Sequence, residues 1–339
     1  MSEKRSDLGR VTILDIARAT GVSKSSVSRF LDDRSPPSDS ETSQLVRRTA
    51  AEMGYVRDVS AASLRRGKTG LIGVIVPRLT DTVMAMLYEA LAAAAARVGR
   101  FTIVATTQDD PEANRRAIDM LMGRGVDALI LCTTRQGDGF AQELSARGVR
   151  FVLALRTDDV HPSSVGDDRF GGFLATRHLI DLGHRRIGLI AGPPDASSSV
   201  RRAEGYRQAM AEAQLEVDPE WIVGSTFGID SGHVAATQLM RLASPPTAIF
   251  AINDNTAIGA LSALAHLGLT VPEDVSVVGY NDIPIVSHLP VPLTTLRIPF
   301  DQIAASAIEL LADGYADHDV SIRIASPTLI PRSSTARVI

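Results

Sequence analysis

Three polar residues in one short segment have side chains that could recognise DNA bases. Lys24, Ser25 and Arg29 lie within residues 23–31, where the spacing of apolar residues predicts a short helix with these three on its outward side. An arginine can bind guanine O6 and N7 at the same time, a lysine can reach guanine acceptors or phosphate, and a serine accepts either kind of partner. The segment is therefore a candidate for contacting base edges in the major groove.

Two further helices are predicted to hold this segment in place. The first begins after Thr12, and Asp15 three residues later completes a pattern typical of a capping box. Gly21 separates it from the second helix, at a position where glycine adopts a positive φ at no steric cost. Residues 40–53 form the third helix, with Gly54 as its stop signal. The inward positions of this third helix are Leu45, Val46, Thr49, Ala50 and Met53. Two short helices joined by a glycine turn make a helix-turn-helix, and the third helix closes its core.

Short hydroxyl residues lie near the starts of the first two helices. Thr12, Ser23, Ser26 and Ser28 suit phosphate contacts, which fix the position of a protein on DNA without reading its sequence. For Ser23, capping of the second helix is an equally good interpretation.

Charge is distributed unevenly along the 339 residues. Residues 1–68 carry 13 Lys and Arg against 9 Asp and Glu, a net charge of +4, and the rest of the chain carries −8. A basic end on an acidic body is expected when only one small module contacts phosphate. With 45% hydrophobic and 22% charged residues, the composition is that of a soluble globular protein of two or three domains. A single cysteine, Cys132, and the absence of a secretory signal predict a cytoplasmic protein.

The N-terminal motif resembles that of one known family. The string VTILDIARATGVSKSSVSRFL, a helix that ends in AEMGY, and then SLRRGKTGLIGVIVP are similar to the lactose-repressor (LacI/GalR) family of bacterial regulators. The similarity extends from Val11 to about Ala336. It implies a homodimeric repressor of transcription that binds double-stranded DNA under the control of a small ligand, at a pseudo-palindromic operator with half-sites roughly 10 bp apart. It also adds Tyr55 to the DNA-binding residues, whereas Asp32 replaces the family's usual asparagine and takes over no contact.

The resemblance also implies a hinge helix within residues 58–68. In the family this segment becomes helical when it pairs with its dimer mate on DNA. A leucine at the position of Leu64 then wedges into the minor groove and kinks the duplex. Arg57, Asp58 and Ala62 replace residues that are usual in the family, which predicts fewer hinge contacts with phosphate.

From residue 71 onward, short apolar runs alternate with helical patterns. Such alternation predicts an α/β fold with parallel sheets and crossover helices, and the number of units favours two doubly wound lobes over one. The predicted strands are 71–76, 101–105, 127–131, 150–155, 186–191, 247–251 and 275–279. The resemblance implies the same body, like a periplasmic sugar-binding protein. Its ligand lies between the lobes, and the chain crosses between them near 166–168, 296–300 and 320–325.

The predicted organisation is therefore a helix-turn-helix headpiece at residues 1–57, a hinge at 58–68, and an effector-binding and dimerisation domain at 69–339. Within that domain, lobe one is predicted at about 69–166 and 299–321, and lobe two at about 167–297 and 324–336.

Ligands of such folds bind beyond the carboxyl ends of the strands. By resemblance, Arg202, three residues before a glycine in SSSVRRAEGY, is the leading effector-binding residue, and in the sequence only Glu204 is placed to neutralise it. Phe227 is an equally good core residue, and Asp254 is predicted to cap a helix. The further effector-binding candidates are Asp81, Ser198, Phe227, Asn253 and Asn281.

Several of these positions depart from the family pattern. The segment that starts at Asp81 replaces one with two aromatic residues, Leu155 followed by Arg156 replaces an aspartate, and Asn281 replaces another aspartate. A pocket with fewer aromatic and acidic groups that keeps its arginines favours a sugar acid, a phosphorylated sugar or another anion over a neutral sugar.

An enzyme and a solute-binding protein are the competing classes. The sequence has no glycine-rich nucleotide motif after a strand, no G-x-S-x-G, and no cysteine–histidine cluster with metal spacing, so no cofactor and no metal are predicted. The α/β body alone would suit a solute-binding protein for transport or a sugar-processing enzyme, but the headpiece argues against both. The predicted function is therefore a DNA-binding regulator that is not an enzyme.

Overall fold

The computed structural model describes residues 11–32, 40–55, 69–312 and 321–338. The chain divides into two units, residues 1–69 and 70–339, and each unit has its own set of internal contacts. None of the helices in the described ranges is long and apolar enough to span a membrane.

The N-terminal unit contains three short helices, α1 (Ile13–Thr20), α2 (Lys24–Phe30) and α3 (Glu41–Glu52). Helix α1 ends at Gly21, whose φ of 69° is the left-handed conformation expected of a glycine turn. The fully buried side chains of Ile16, Val27 and Val46, one from each helix, meet in a small core. The predicted headpiece fold is confirmed.

One predicted core position in α3 is wrong. Leu45 is 38% exposed, because the inward face of this helix runs through Ser43, Val46 and Ala50, at steps of three and four residues. Leu45 lies next to that face and not on it.

The larger unit consists of two lobes, and the first is built on a six-stranded sheet in the order β11-β5-β4-β3-β1-β2 with every strand pair parallel. Its strands are β1 (Leu71–Val76), β2 (Phe101–Thr106), β3 (Ala128–Leu131), β4 (Phe151–Ala154), β5 (Ser163–Gly166) and β11 (Ile322–Ala325). Its helices are α4 (Thr82–Arg97), α5 (Pro111–Gly123), α6 (Phe140–Ala146) and α11 (Phe300–Ala312). The central strands are buried on both faces, as crossover helices on each side of a parallel sheet require.

The second lobe has a four-stranded parallel sheet in the order β7-β6-β8-β9. Its strands are β6 (Ile187–Ala191), β7 (Ile222–Gly224), β8 (Ala248–Ala251) and β9 (Ser276–Val278), and its helices are α7 (Asp168–Asp181), α8 (Ser197–Glu212), α9 (Ile229–Met240) and α10 (Asp254–His266). A separate antiparallel pair joins β10 (Thr295–Arg297) to β12 (Thr328–Ile330). The predicted fold class, a headpiece followed by a two-lobed doubly wound α/β body, is confirmed.

The chain crosses between the lobes three times, at 166–168, 297–300 and 325–328. The third crossing lies later than the predicted 320–325, because Ile322–Ala325 pairs with Ser163–Gly166 in the sheet of lobe one. Lobe one therefore extends to residue 325 and not to 321.

Two glycines let helices α7 and α8 pack with their backbones in close approach. A Cβ on Gly172 would clash with the backbone oxygen of Arg202, and a Cβ on Gly205 would clash with that of Arg169. Because these clashes are with backbone atoms, no side-chain movement could relieve them. The closeness of the two helices fixes where Arg202 stands in the second lobe.

Candidate functional site

The first candidate site is the outer face of helix α2. Lys24, Ser25 and Arg29 are all exposed on it, while Val27 on the opposite face is fully buried. The structure thus leaves the three predicted base-reading side chains accessible on one short helix.

Two of the hydroxyl residues of the headpiece, Ser23 and Thr12, cap helices. Ser23 caps α2, because its hydroxyl oxygen accepts a hydrogen bond from the backbone N–H of Ser26 at 3.3 Å. Thr12 donates its hydroxyl to the carboxylate of Asp15 at 2.7 Å, and the same carboxylate accepts from the Thr12 N–H at 2.9 Å. Both residues therefore have capping roles, whether or not they also contact phosphate.

The remaining predicted DNA-binding residues lie elsewhere in the headpiece. Ser26 and Ser28 are half-buried, and Tyr55 packs against the headpiece core. Leu64 and the hinge segment lie outside the described residues, so the wedge remains a prediction from the sequence.

The second candidate site is a cleft between the two lobes, with about 520 Å³ of empty space that includes the part open to solvent. It lies beyond the carboxyl ends of strands in both sheets, where ligands of doubly wound folds bind. From lobe one it is lined by Pro77, Arg78, Asp81, Val83, Met84, Asp109, Leu155 and Arg156, and from lobe two by Ser198, Arg202, Phe227, Asn253 and Asn281.

All six predicted effector-binding residues line this one cleft, five of them from lobe two. Asp109 and Arg156 also line the cleft, and neither was among the predicted effector-binding residues, although Arg156 was noted as a departure from the family pattern. Asp109 stands in a pair of acids that fits a turn, and its φ of 60° does place it in one, but the turn faces the cleft. Arg156 follows β4, and its position at a strand end was the available signal.

Arg202 is buried and already paired. Its Nε donates to Oδ1 of Asp168 at 2.7 Å, and its Nη1 donates to the backbone oxygen of Ile252 at 2.8 Å. The ring centre of Tyr280 lies 3.7 Å from its Cζ. The prediction that only Glu204 could neutralise this charge is wrong, because Asp168 at the start of α7 does so. Burial raises the pKa of Asp168, and the Arg202 charge opposes that shift.

Arg156 has a different environment. Its side chain is 7% exposed, and its nearest carboxylate is that of Asp109, with Nη1 3.5 Å from Oδ1. Its Cζ lies 5.6 Å from the ring centre of Phe227, which belongs to the other lobe. The guanidinium of Arg156 therefore spans the cleft toward lobe two.

Asp81 combines a structural role with a place in the cleft. One carboxylate oxygen accepts from the Val83 N–H at 3.1 Å and caps helix α4, and it also accepts from Nδ2 of Asn255 at 3.4 Å. Burial raises the pKa of this carboxyl, while the Val83 hydrogen bond and the charges of Arg78 and Arg156 lower it in part.

Asn253 lines the cleft as predicted, and it also takes the capping role that the sequence assigned to Asp254. The side chain of Asn253 caps α10 by accepting from the Thr256 N–H at 2.8 Å, and its Nδ2 donates to the backbone oxygen of Phe227 at 3.0 Å. Asp254 instead accepts from Thr295 Oγ1 at 2.6 Å and from the Ile283 N–H at 2.8 Å. The predicted cap at Asp254 is therefore wrong, and Asn253 contributes to the cleft as a capping residue.

Asn281 connects the cleft to a lobe crossing. Its backbone N–H donates to the backbone oxygen of Leu296 at 2.7 Å, and Leu296 is the residue immediately before the crossing at 297–300. Its φ of 109° is an uncommon conformation that asparagine tolerates better than most residues.

One segment of lobe two also holds the lobes together. Asp195 forms an ion pair with Arg135 of lobe one at 3.3 Å, and the hydroxyl oxygen of Ser197 accepts from the Thr157 N–H at 2.9 Å. Arg201 pairs with Asp159 of lobe one. We call residues 195–202 the bridging segment, since it makes these contacts and also supplies Ser198 and Arg202 to the cleft.

A three-helix headpiece joined in one chain to a two-lobed α/β body is the organisation of a DNA-binding regulator. Residues 12–58 match the family model of bacterial regulatory proteins of the lacI family, and residues 176–335 match a periplasmic binding protein-like domain. The chain belongs to the lacI family and is a DNA-binding transcriptional repressor.

Similar proteins match this chain over almost their whole lengths. The chain is 30% identical over 335 residues to the HTH-type transcriptional repressor PurR of Haemophilus influenzae, which covers 97% of this chain and 99% of the relative. It is 32% identical over 333 residues to the ribose operon repressor of Haemophilus influenzae, at 95% and 98% coverage. A crystal structure of the lac repressor dimer bound to operator and the anti-inducer ONPF superposes with a TM-score of 0.86 at 27% identity, covering 97% of this chain and 100% of that one. These relatives are repressors and not enzymes, so the chain is a regulator.

Proposed function

We propose that this repressor binds a pseudo-palindromic operator as a homodimer in the cytoplasm, and that a sugar or sugar derivative in the cleft controls its affinity for that operator. Sugar acids and phosphorylated sugars are included in this class. The observation that carries the proposal is that both lobes supply polar side chains to one cleft, Asp81 and Arg156 from the first and Ser198 and Arg202 from the second.

A ligand that contacts both lobes can change the angle between them. It does so only to the extent that it binds one arrangement more tightly than the other, and contacts from both sides provide that difference. Asn281 lines the cleft and is bonded next to a lobe crossing, so a change at the ligand has a short path to the crossing strands.

The solved structure of the lac repressor supports small-molecule control, because that dimer is bound to the anti-inducer ONPF. Hydroxyl, amide and guanidinium groups in the cleft suit a hydroxylated ligand, because each can donate to or accept from a hydroxyl group.

The DNA-binding half of the proposal rests on α2. Lys24, Ser25 and Arg29 would contact base edges in the major groove, and Thr12, Ser23, Ser26 and Ser28 would contact phosphate. Leu64, as a minor-groove wedge, and Tyr55 complete the proposed DNA-binding set.

A dimer is proposed because two headpieces are needed for two half-sites. The lac repressor neighbour was solved as a dimer on operator DNA. In this chain Phe101 is 73% exposed at the start of β2, an edge strand, which suits a surface that is covered in a dimer.

The test is operator binding that responds to ligand. The full-length protein is titrated by fluorescence anisotropy against DNA fragments that flank its own gene, and then with a panel of sugars, sugar acids and sugar phosphates. We expect one fragment to bind tightly at physiological salt, and one class of ligand to change that affinity. A solute-binding protein or an enzyme would bind ligand but would bind no flanking fragment more tightly than random DNA. That result would refute the proposal.

A further inference from the structure

The two arginines buried in the cleft differ in how well their guanidinium groups are satisfied. Arg202 donates to the carboxylate of Asp168 and to a backbone oxygen, and it stacks on Tyr280. Arg156 is equally buried, but its guanidinium forms no hydrogen bond with any residue that the structure describes. Among the residues that the structure describes, its only carboxylate contact is with Asp109, where Nη1 and Oδ1 are 3.5 Å apart.

A guanidinium has five N–H donors and no acceptor. When such a group is withdrawn from water, its donors need acceptors, and a contact of 3.5 Å to one carboxylate oxygen leaves most of them unmet. Arg156 lines the cleft, so the unmet donors belong to the same space that a ligand would occupy.

Asp109 is unsatisfied on the other side of the same contact. Its Oδ1 is buried and has no hydrogen-bond partner among the described residues. A ligand that fits both groups must therefore bring acceptors for Arg156 and a donor for Asp109. A hydroxyl group provides the donor, and a carboxylate or a phosphate provides several acceptors in the fork geometry that a guanidinium prefers.

Asp81, another acid that lines the cleft, repels a bound anion less than its formal charge suggests. Burial raises the pKa of Asp81, which favours its protonated form more than in water. Arg78, which also lines the cleft, is exposed and adds positive charge at its rim.

We propose that the effector carries a carboxylate or phosphate group that binds Arg156, next to a hydroxyl group that donates to Asp109. The effector is thus a sugar acid or a phosphorylated sugar, and Arg156, rather than Arg202, selects it. This inference rests on the proposed function, because it names the class of ligand for the same cleft.

The first experiment uses inorganic phosphate as the probe, with full-length protein at constant ionic strength and thermal unfolding as the readout. We expect phosphate to raise the melting temperature of wild type in a saturable way, and Arg156→Met to weaken phosphate binding by about tenfold or more. Arg177→Met is the matched control, because Arg177 pairs with Asp181 on the surface of α7 and should leave phosphate binding unchanged. Phosphate bound at the headpiece would survive in Arg156→Met.

A second variant keeps the inference testable if Arg156→Met unfolds. Asp109→Asn removes the competing carboxylate and should bind phosphate several-fold more tightly than wild type. No saturable effect of phosphate on wild type, or weaker binding by Asp109→Asn, would overturn the inference.

The second experiment compares gluconate and glucose 6-phosphate with glucose and ribose on the same protein. Stabilisation by either anionic probe, lost in Arg156→Met, supports the inference. Stabilisation by the neutral sugars alone overturns it and leaves the proposed function intact. Failure of the proposed function is recognised separately, because the protein would then bind no fragment of its own flanking DNA in preference to random DNA.

Discussion

Arg201 in helix α8 forms an ion pair with Asp159 across the boundary between the two lobes. The next residue, Arg202, lines the cleft, so adjacent positions of the bridging segment contact the opposite lobe and the ligand space. The Asp195–Arg135 pair and the Ser197–Thr157 hydrogen bond lie in the same segment. Ligand binding and the closure of the lobes therefore act on one short stretch of chain.

Reversing the charge of Asp159 should loosen the lobes. Asp159→Arg faces Arg201 with a like charge, so we expect a larger radius of gyration by X-ray scattering and weaker ligand binding. The free energy of closing the lobes should become less favourable by about 0.2–1 kcal/mol, the range that exposed ion pairs contribute. The double variant Asp159→Arg with Arg201→Asp should recover both values, and a double variant no better than the single one would show that the pair does not hold the lobes.

Removing Arg202 should destabilise the second lobe as well as weaken ligand binding. Arg202→Ala leaves the buried carboxylate of Asp168 without its partner, a loss of about 3–5 kcal/mol when a buried pair is broken from one side. The measurement is the free energy of unfolding in urea. The double variant Arg202→Met with Asp168→Asn should lose much less, since no buried charge is left unpaired. Equal losses in both variants would mean that packing against Tyr280, and not charge pairing, makes Arg202 important.

Arg29 should govern which DNA sequence is bound. Arg29→Ala should reduce the preference for operator over random DNA by about 1–3 kcal/mol, the worth of one bidentate base contact. Competition titrations with the two DNAs give this ratio. Arg48→Ala, which removes one exposed charge from α3, is the control and should leave the ratio unchanged. An unchanged ratio in Arg29→Ala would exclude a base contact by this residue.

Asp254 should make the stability of the body depend on pH. Burial raises its pKa from 3.8 to about 7, against the hydrogen bond from Thr295. Between these two values the folded state holds a proton that the unfolded state has released, so this residue's contribution to stability falls as pH rises through that window. In urea unfolding from pH 4 to pH 8, Asp254→Asn should show a smaller decline than wild type. Parallel curves for the two proteins would contradict the shifted pKa.

The headpiece and the order of strands and helices could be predicted from the sequence because both depend on local patterns. Apolar residues recur at helical spacing within each headpiece helix, as Ile13, Ile16 and Ala17 do in the first, and the buried central strands are continuous apolar runs. Five strands were not predicted, since each has only three or four residues: Ser163–Gly166, Ile222–Gly224, Thr295–Arg297, Ile322–Ala325 and Thr328–Ile330. Their neighbours in the sheets, and not their own composition, make them strands.

The sequence predicted six of the residues that line the cleft but not which charged groups pair with one another there. Strand ends and the family resemblance located Arg202 and Asn281, but Asp168 lies 34 residues before Arg202 and nothing local connects the two. Arg156 and Asp109 are likewise far apart in the sequence, and nothing local connects them. Which arginine is satisfied and which is not depends on partners that only the folded chain brings together.

The burial of Cys132 has a practical consequence for following the lobes in solution. It is the only cysteine in the sequence, it is fully buried directly after strand β3, and burial raises the pKa of its thiol to about 12. Maleimide dyes react with the thiolate of accessible cysteines, so the wild-type protein should remain unlabelled at neutral pH. Met120 of lobe one and Val234 of lobe two are both more than half exposed. Cysteines introduced there as Met120→Cys and Val234→Cys would be the sole attachment points for a donor and an acceptor dye, and energy transfer between them would follow lobe movement in an otherwise native chain.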